Sequence, residues 1–401
     1  MRVLKFGGTS MATAETRALV IARIEEERRM DPEVAVVVSA MGRAGAPYAT
    51  DTLLGLVQDV GISARERDLL LTCGETIAAV TLSAELTARG LAAEALTGAQ
   101  AGIRTTDEFG QAEVTAIEPA RVRGVWAMGR IAVIAGFQGE TARGEPTTLG
   151  RGGSDTSAVV LGAALGCPVD IYTDVPGIFT ADPRVVASAA ILPEVAYHEV
   201  LEMAVAGAKV IHPRAVSEAL THQVPVRVLS TFDGRGGTVI GGGRRGPALK
   251  EKAVTGIAHQ NGLISLAVHA DNPDPIHLVL DRLSAEGITI DMINFFGRDF
   301  YCVIEDRFRR QVETLLRELP LRWELRQPVT KVTAVGEAIS EWPGVMLKIT
   351  EALARADIAI LQTSDSLFTI SLLVEGAQGG RAVNALHDFF QLAAGSGDGP
   401  F

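Results

Sequence analysis

The stretch Val34-Ala35-Val36-Val37-Val38-Ser39 decides the fold. It is apolar on both faces, with no alternation of polar and apolar positions, which is the pattern of a strand buried inside a parallel sheet. Residues 131–137 and 169–173 read the same way, and residues 2–6 give a further strand that stops at Gly7-Gly8. Helical patterns lie between these runs. Over residues 14–30, Leu19, Val20, Ile21 and Ile24 supply an apolar stripe, and a charged end follows at 25–29. Strands alternating with helices predict an α/β domain of three layers (α/β/α), with helices on both faces of a mostly parallel sheet. Ligands of such sheets sit at the carboxyl ends of the strands, and the Gly-rich segments of this chain fall at those ends.

Composition narrows the function classes. At about 150 residues per domain, a chain of 401 residues fits two or three domains. Hydrophobic residues make up 47% and charged residues 21%, enough to bury a sizeable core. A formal net charge of -11 argues against a nucleic-acid partner, although a local basic site for an anion remains open. Cys73, Cys167 and Cys302 are far apart and form no C-x-x-C pair, so neither disulfides nor a zinc site is expected and no residues are assigned to a metal. A cytoplasmic location fits. No leader is read at the start, where Arg2, Lys5 and Gly7-Gly8 interrupt any apolar run, and no stretch of about 18 apolar residues suggests a membrane span.

The α/β pattern fills residues 1–240 and ends at a Gly-, Pro- and Lys-rich linker, 241–253. Beyond it the order changes to strand 264–268, helix 275–286, strands 288–293 and 300–304, and helix 308–319. That order recurs as strand 332–335, helix 343–355, strands 358–362 and 368–374, and helix 382–392. Two βαββα-like units, 254–328 and 329–395, fit a tandem ferredoxin-like α+β repeat.

Four segments carry the candidate chemistry. Lys5-Phe6-Gly7-Gly8-Thr9-Ser10 ends the first strand, where glycine N–H groups and a lysine suit an anion; a tight turn with a surface lysine reads equally well. It is no Walker A loop, because G-x-x-x-x-G-K-[ST] does not occur. Gly150-Arg151-Gly152-Gly153-Ser154-Asp155-Thr156-Ser157 sets an Arg among three glycines ahead of a helix, with Ser154, Thr156 and Ser157 as candidate caps. Residues 173–184 form a polar loop after a buried strand and suit a base and ribose, although a solvated turn at Pro176-Gly177 is the plainer reading. Gly207-Ala208-Lys209-Val210-Ile211-His212-Pro213-Arg214 adds a second lysine, and its His212 reads as a packed side chain sooner than a general base. Separately, Glu75 stands inside the apolar helical stretch Leu69-Leu70-Leu71-Thr72-Cys73-Gly74-Glu75-Thr76 and needs a partner, structural or substrate.

Taken in this order, with Val38-Ser39-Ala40-Met41-Gly42 and residues 71–75, these segments resemble the aspartate kinases (aspartokinases) of the amino-acid kinase family. The repeat after residue 254 resembles the family's two ACT regulatory units, so the resemblance spans essentially the whole chain. The segment Arg43–Tyr48, written 43–48 before Ala49-Thr50-Asp51, is similar to that of diaminopimelate-sensitive isoforms. The resemblance implies phosphoryl transfer from ATP, with Mg²⁺, to the side-chain carboxylate of L-aspartate, giving 4-phospho-L-aspartate, the first step towards lysine, threonine, methionine and diaminopimelate. It places Lys5, Gly7, Gly8, Thr9, Ser39, Thr173, Asp174, Phe179, Asp182, Arg184 and Lys209 on the nucleotide side, with Phe179 standing where the family often has Tyr. Thr50, Glu75, Arg151, Gly152, Gly153 and Ser154 fall on the aspartate side: Arg151 with the α-carboxylate, Glu75 with the α-ammonium. Lys5 and Lys209 are the catalytic cations, and Asp155 orients a lysine. A homodimer through the ACT units is implied, with an amino-acid effector (lysine, threonine or meso-diaminopimelate) near Asp271, Asp274, Asn294, Asp365 and Ser366.

The chemistry agrees. A carboxylate nucleophile with a pKa near 4 is already ionised at about pH 7 and needs no general base, which fits the lack of a Ser-His-Asp order or an H-E-x-x-H motif. Three other readings are weaker. N-acetylglutamate, glutamate or uridylate kinases lack the combination of Glu75 with an ACT pair. A kinase-dead amino-acid sensor would not need Lys5, Arg151, Asp155 and Lys209. A fusion to homoserine dehydrogenase is not expected at this length, and the literal G-x-G-x-x-G at 241–246 sits in the linker with Pro247 behind it.

Overall fold

The computed structural model describes residues 1–58, 60–208, 210–234, 236–242, 253–269, 274–319 and 321–393. The chain forms two compact units: Met1–Ile178, Ile191–Ala204 and Lys209–Arg245 in the first; Phe179–Ala190, Val205–Ala208 and Gly246–Phe401 in the second. The expected boundary at residue 240 is thus close, but two short pieces of the expected catalytic domain group with the second unit.

The first unit's strands are β1 (Arg2–Phe6), β2 (Val34–Val38), β3 (Ala93–Leu96), β4 (Ile103–Thr105), β5 (Val114–Ile117), β6 (Ile131–Ala135), β7 (Gln138–Glu140), β8 (Pro146–Thr148), β9 (Val169–Thr173), β10 (Glu194–Ala196), β11 (Val226–Ser230) and β12 (Thr238–Gly241). Its helices are α1 (Gly8–Met11), α2 (Ala14–Met30), α3 (Thr50–Gly55), α4 (Ala64–Ala88), α5 (Ala120–Ala127), α6 (Gly153–Leu165), α7 (Tyr197–Val205) and α8 (Pro213–His222). An eight-stranded sheet runs in the order β10-β12-β11-β9-β1-β2-β6-β3. It is parallel apart from the β11–β12 pair. All five residues of β2 are buried, as a strand covered on both faces requires. Leu4, Phe6, Val36, Val38, Val133 and Ala135 pack with Ile21 and Ile24 of α2 and Leu82 and Leu86 of α4 in one apolar cluster. A smaller sheet, β5-β4-β7-β8, lies beside it and had no clear periodicity to announce it.

Helix α4 is long and apolar enough to cross a membrane by length and composition. Here Ala78, Ala79, Leu82 and Leu86 sink into the domain core, and the helix also buries Asp68 and Glu75.

The second unit is built on one six-stranded antiparallel sheet. Its strands are β13 (Gly256–His269), β14 (Asp291–Phe296), β15 (Asp299–Glu305), β16 (Arg322–Val335), β17 (Gln362–Asp365) and β18 (Thr369–Glu375), in the order β14-β15-β13-β16-β18-β17. Its helices are α9 (Asp274–Ala285), α10 (Arg309–Arg317), α11 (Val345–Arg355) and α12 (Gly379–Phe389). The repeat is present, but its seam differs from the expected one. The boundary expected between 328 and 329 falls inside the continuous strand β16. Residues 256–260, expected to open the first repeat, pair with residues 331–335. Val254 and Ile257 accordingly lie in the core of the second repeat with Val332, Ile349 and Leu372. Trp323 and Leu325 of β16, inside the span expected for the first repeat, pack on that repeat's own core. The second βαββα unit is therefore closed by a half-strand, residues 256–260, taken from the span expected for the first, a pairing invisible to a local pattern.

Candidate active site

Strand alternation sets the first catalytic candidate. Leu4 and Phe6 of β1 face the α2/α4 core, so Lys5 between them points to the face carrying α6. There its Nζ lies 2.6 Å from Oδ1 of Asp155, in the first turn of α6. Lys5 is only 9% exposed, and a lysine so buried requires such a partner. Gly7 precedes α1. At Gly8 a Cβ would lie 2.6 Å from the Gly42 carbonyl oxygen and 2.8 Å from that of Ala40, so glycine is demanded there by crossing backbone. Gly42 N–H donates to the Gly8 carbonyl across this crossing.

Beyond the carboxyl ends of β1, β2 and β6 opens a cleft of about 500 Å³. It is lined by Lys5, Gly8, Ser39, Thr50, Glu75, Arg151, Gly152, Gly153, Ser154 and Asp155, all of them residues singled out from the sequence. Glu75 is 2% exposed; its Oε1 accepts from Ala40 N–H at 3.1 Å, and its Oε2 has no hydrogen-bond partner among the described residues. Burial favours the neutral carboxyl and pushes its pKa up to about 8. Arg151 is exposed, and among the described residues it ion-pairs with none. One cleft thus offers an uncompensated carboxyl and an uncompensated guanidinium.

The glycine loop departs from expectation in its capping. Helix α6 starts at Gly153 behind Gly152, so Ser154, Thr156 and Ser157 lie inside the helix and cap nothing. Thr156 and Ser157 donate instead to the carbonyls of Gly152 and Gly153, and Ser157 Oγ accepts from Phe137 N–H. Gly152 adopts φ 73°, and a Cβ there would lie 2.1 Å from His212 Cγ. His212 is the packed residue expected: it caps α8, accepting from Arg214 N–H, and burial lowers its pKa. Gly152→Ala is expected to raise the KM for whatever substrate the cleft holds about tenfold or more, the scale of roughly 1–3 kcal/mol of forced backbone strain. Steady-state kinetics beside an unchanged far-UV spectrum would show it; an unaltered KM would make the close packing at Gly152 irrelevant to the site.

At the carboxyl end of β9, Thr173 Oγ1 donates to Asp174 Oδ1. Arg43, passed over in the sequence except as part of an insertion, donates to Thr9 Oγ1 at 3.1 Å and to Asp174 Oδ2 at 2.7 Å, tying together the segments that follow β1, β2 and β9. Phe179, Asp182 and Arg184 belong to the second unit. There Arg184 pairs with Asp182 at 2.7 Å and holds its carboxyl below the usual range. Lys209 and Asp271 lie outside the described residues. Of the other effector candidates, Asp274 opens α9. Asn294 lines a cavity of about 830 Å³ with Tyr301 and Gln362, and Asp365 lines another of about 460 Å³ with Trp342 and Gly344. Ser366 accepts from Thr369 N–H in the turn before β18. Asn294 and Asp365 thus line two different cavities. Asp68 was missed altogether. Its spacing of seven from Glu75 puts the two on one face of α4, a signal the sequence did carry.

Known proteins share this architecture. The amino acid kinase family matches residues 1–230, and the ACT domain matches residues 324–388. Aspartokinase 1 of Bacillus subtilis is 43% identical over 399 residues, covering 98% of this chain and 99% of that protein. The chain belongs to the aspartokinase family. E. coli aspartokinase III in complex with aspartate and ADP, at 26% identity, gives a TM-score of 0.77 over 97% of this chain and 99% of that one. The same protein in complex with lysine and aspartate gives the same values. As an aspartokinase the protein is an ATP-dependent kinase acting on the side-chain carboxylate of aspartate, and its ACT units make it an allosteric enzyme.

Proposed function

We propose that the cleft of the first unit seats L-aspartate between Arg151, which pairs with the α-carboxylate, and Glu75, which pairs with the α-ammonium, and directs the side-chain carboxylate towards Lys5. The observation that carries this reading is the placement of an uncompensated carboxyl, an uncompensated guanidinium and Lys5 in one cleft of about 500 Å³. Thr50, Gly152, Gly153 and Ser154 complete the aspartate side. Lys5, Gly7, Gly8, Thr9, Ser39, Thr173, Asp174 and Lys209 serve the nucleotide.

The nucleophile arrives ionised, so no group has to remove a proton. The obstacle is the approach of an anion to a polyanion, and the remedy is positioning and positive charge. Asp155 fixes Lys5 Nζ at 2.6 Å and leaves its other hydrogens free to turn to phosphate oxygens. Among the described residues no three His, Cys, Asp or Glu side chains converge as metal ligands. Mg²⁺ would enter with ATP and would supply further positive charge against the transferred group, beside Lys5. A site demanding both α-substituents would reject analogues lacking either, most strongly those lacking the ammonium, because the buried Glu75 would be left unpaired.

The ACT units are read as the seat of an amino-acid effector (lysine, threonine or meso-diaminopimelate) and of a homodimer, in a cytoplasmic enzyme. Hydroxylamine trapping of acyl phosphate with MgATP and L-aspartate tests the whole reading. Hydroxamate is expected with aspartate and is expected to be suppressed by one of the three amino acids. Hydroxamate only with another amino acid would overturn the aspartate reading, and indifference to all three would overturn the effector reading.

A further inference from the structure

Asp68 is fully buried in the wall of the same cleft, and nothing said so far uses it. Its carboxylate accepts three hydrogen bonds: from Gly110 N–H at 2.8 Å, from Thr148 N–H at 2.7 Å and from Thr148 Oγ1 at 2.9 Å. These donors belong to two different segments, the turn before β5 and the last residue of β8. The segments are themselves joined, since Ala112 N–H donates to the Thr148 carbonyl. Arg214, which follows His212-Pro213 at the start of α8, binds the same pair from another side. Its Nη1 donates to the Leu149 carbonyl and its Nη2 to the Ala112 carbonyl, each at 2.8 Å.

Two residues after Leu149 comes Arg151. The chain reaches it through Gly150, at φ 72°, where a Cβ would lie 3.1 Å from the Gly110 carbonyl oxygen. The backbone leading to Arg151 is thus laid directly on the segment that Asp68 and Arg214 grip. A carboxylate without water around it, holding three donors, fixes their relative positions far more tightly than a neutral turn would.

We infer that Asp68 is a positioning residue for the aspartate side of the reaction: with Arg214 as the opposing jaw, it clamps residues 110–112 against 148–149 and so sets where the Arg151 guanidinium meets the substrate α-carboxylate. This rests on the reading of Arg151 given above. Asp68 does not touch the reacting atoms, so it acts on aspartate binding and leaves the nucleotide side alone.

The test compares four full-length proteins: the parent, Arg151→Ala, Asp68→Asn and the double variant. Asn presents an NH₂ group where two N–H donors and a hydroxyl require acceptors. A displacement of about 1 Å in a positioning group costs up to roughly 10²-fold. Asp68→Asn is therefore expected to raise the aspartate KM by about 10- to 100-fold while the ATP KM stays within about threefold. In the Arg151→Ala background the same change is expected to add less than about twofold, since neighbouring residues acting as one unit are not additive. An unchanged aspartate KM, an equal rise in both KM values, or fully additive losses would overturn the inference. An aspartate KM unmoved by Arg151→Ala would instead overturn the reading of Arg151 itself. Should Asp68→Asn fail to fold, Thr148→Val, which removes only the hydroxyl bond to Asp68, and Arg214→Lys replace it. Both are expected to raise the aspartate KM selectively, by a smaller factor, and no shift in either sinks the clamp.

Discussion

Lys5→Ala is expected to lower kcat by roughly 10²- to 10³-fold, the range found when one preorganised charge-stabilising group is removed from an active site. The expectation follows from where the lysine sits. The residue is 9% exposed, its Nζ is locked to Asp155 at 2.6 Å, and it projects from near the end of a central strand whose neighbours on both sides are also buried. Such a group is preorganised: it pays no reorganisation cost when negative charge builds on the transferring phosphoryl group. Lys5→Arg should restore little, because a planar fork on a longer stem cannot occupy the same point beside Asp155. Asp155→Asn should cost less than Lys5→Ala, since it frees the lysine without removing it. Lys5→Ala leaves Asp155 half-buried without its counter-charge, so melting behaviour has to be followed beside turnover. A folded Lys5→Ala protein with near-normal kcat would remove Lys5 from the chemistry.

Much of this was legible because it depends on short-range pattern. The buried run at β2 and the strand–glycine junction after β1 required only local periodicity, and the helix expected over residues 14–30 spans Ala14–Met30. Lys5, Ser39 and residues 150–155 were legible because they stand at a strand end or in a glycine loop, and Glu75 because a charge is out of place on an apolar helix, whereas Thr50 came only with the family resemblance. What escaped was set by tertiary contact. The pairing of residues 256–260 with the second ACT repeat depends on residues about 75 apart in sequence finding each other, as at Gly256 and Val335. Arg43 is exposed, and nothing local says that its guanidinium reaches both Thr9 and Asp174. Asp68 looks like any acid in the first turns of a helix. Only the fold brings Gly110 and Thr148 to it. Glycine was over-read in one respect: Gly8 answers to the carbonyls of Ala40 and Gly42 as well as to any anion.

Glu75 makes the aspartate KM depend on pH. In the empty cleft its carboxyl is buried, with one N–H donor and an unpartnered oxygen, and its pKa stands at about 8 against an ordinary 4.5. At pH 7 the empty protein therefore holds Glu75 mostly neutral, whereas the substrate ammonium pairs with the ionised form. Seating aspartate then releases a proton, and the apparent KM is expected to fall about tenfold between pH 7 and pH 9 before levelling. Glu75→Gln should raise the KM and flatten that profile. The stability signs run the other way. A carboxyl whose pKa is raised by folding favours the fold fully below 4.5, and that stability is lost as pH rises towards 8. Glu75→Gln, free of this loss, should melt higher than the parent at pH 8, with the gap closing near pH 5. Calorimetric titration of aspartate at pH 7, in buffers of different ionisation enthalpy, reads the released proton directly. No proton release, with a KM flat from pH 7 to pH 9, would mean that Glu75 is already ionised in the empty cleft or does not meet the substrate ammonium. A Glu75→Gln variant that bound aspartate as the parent does would decide for the second.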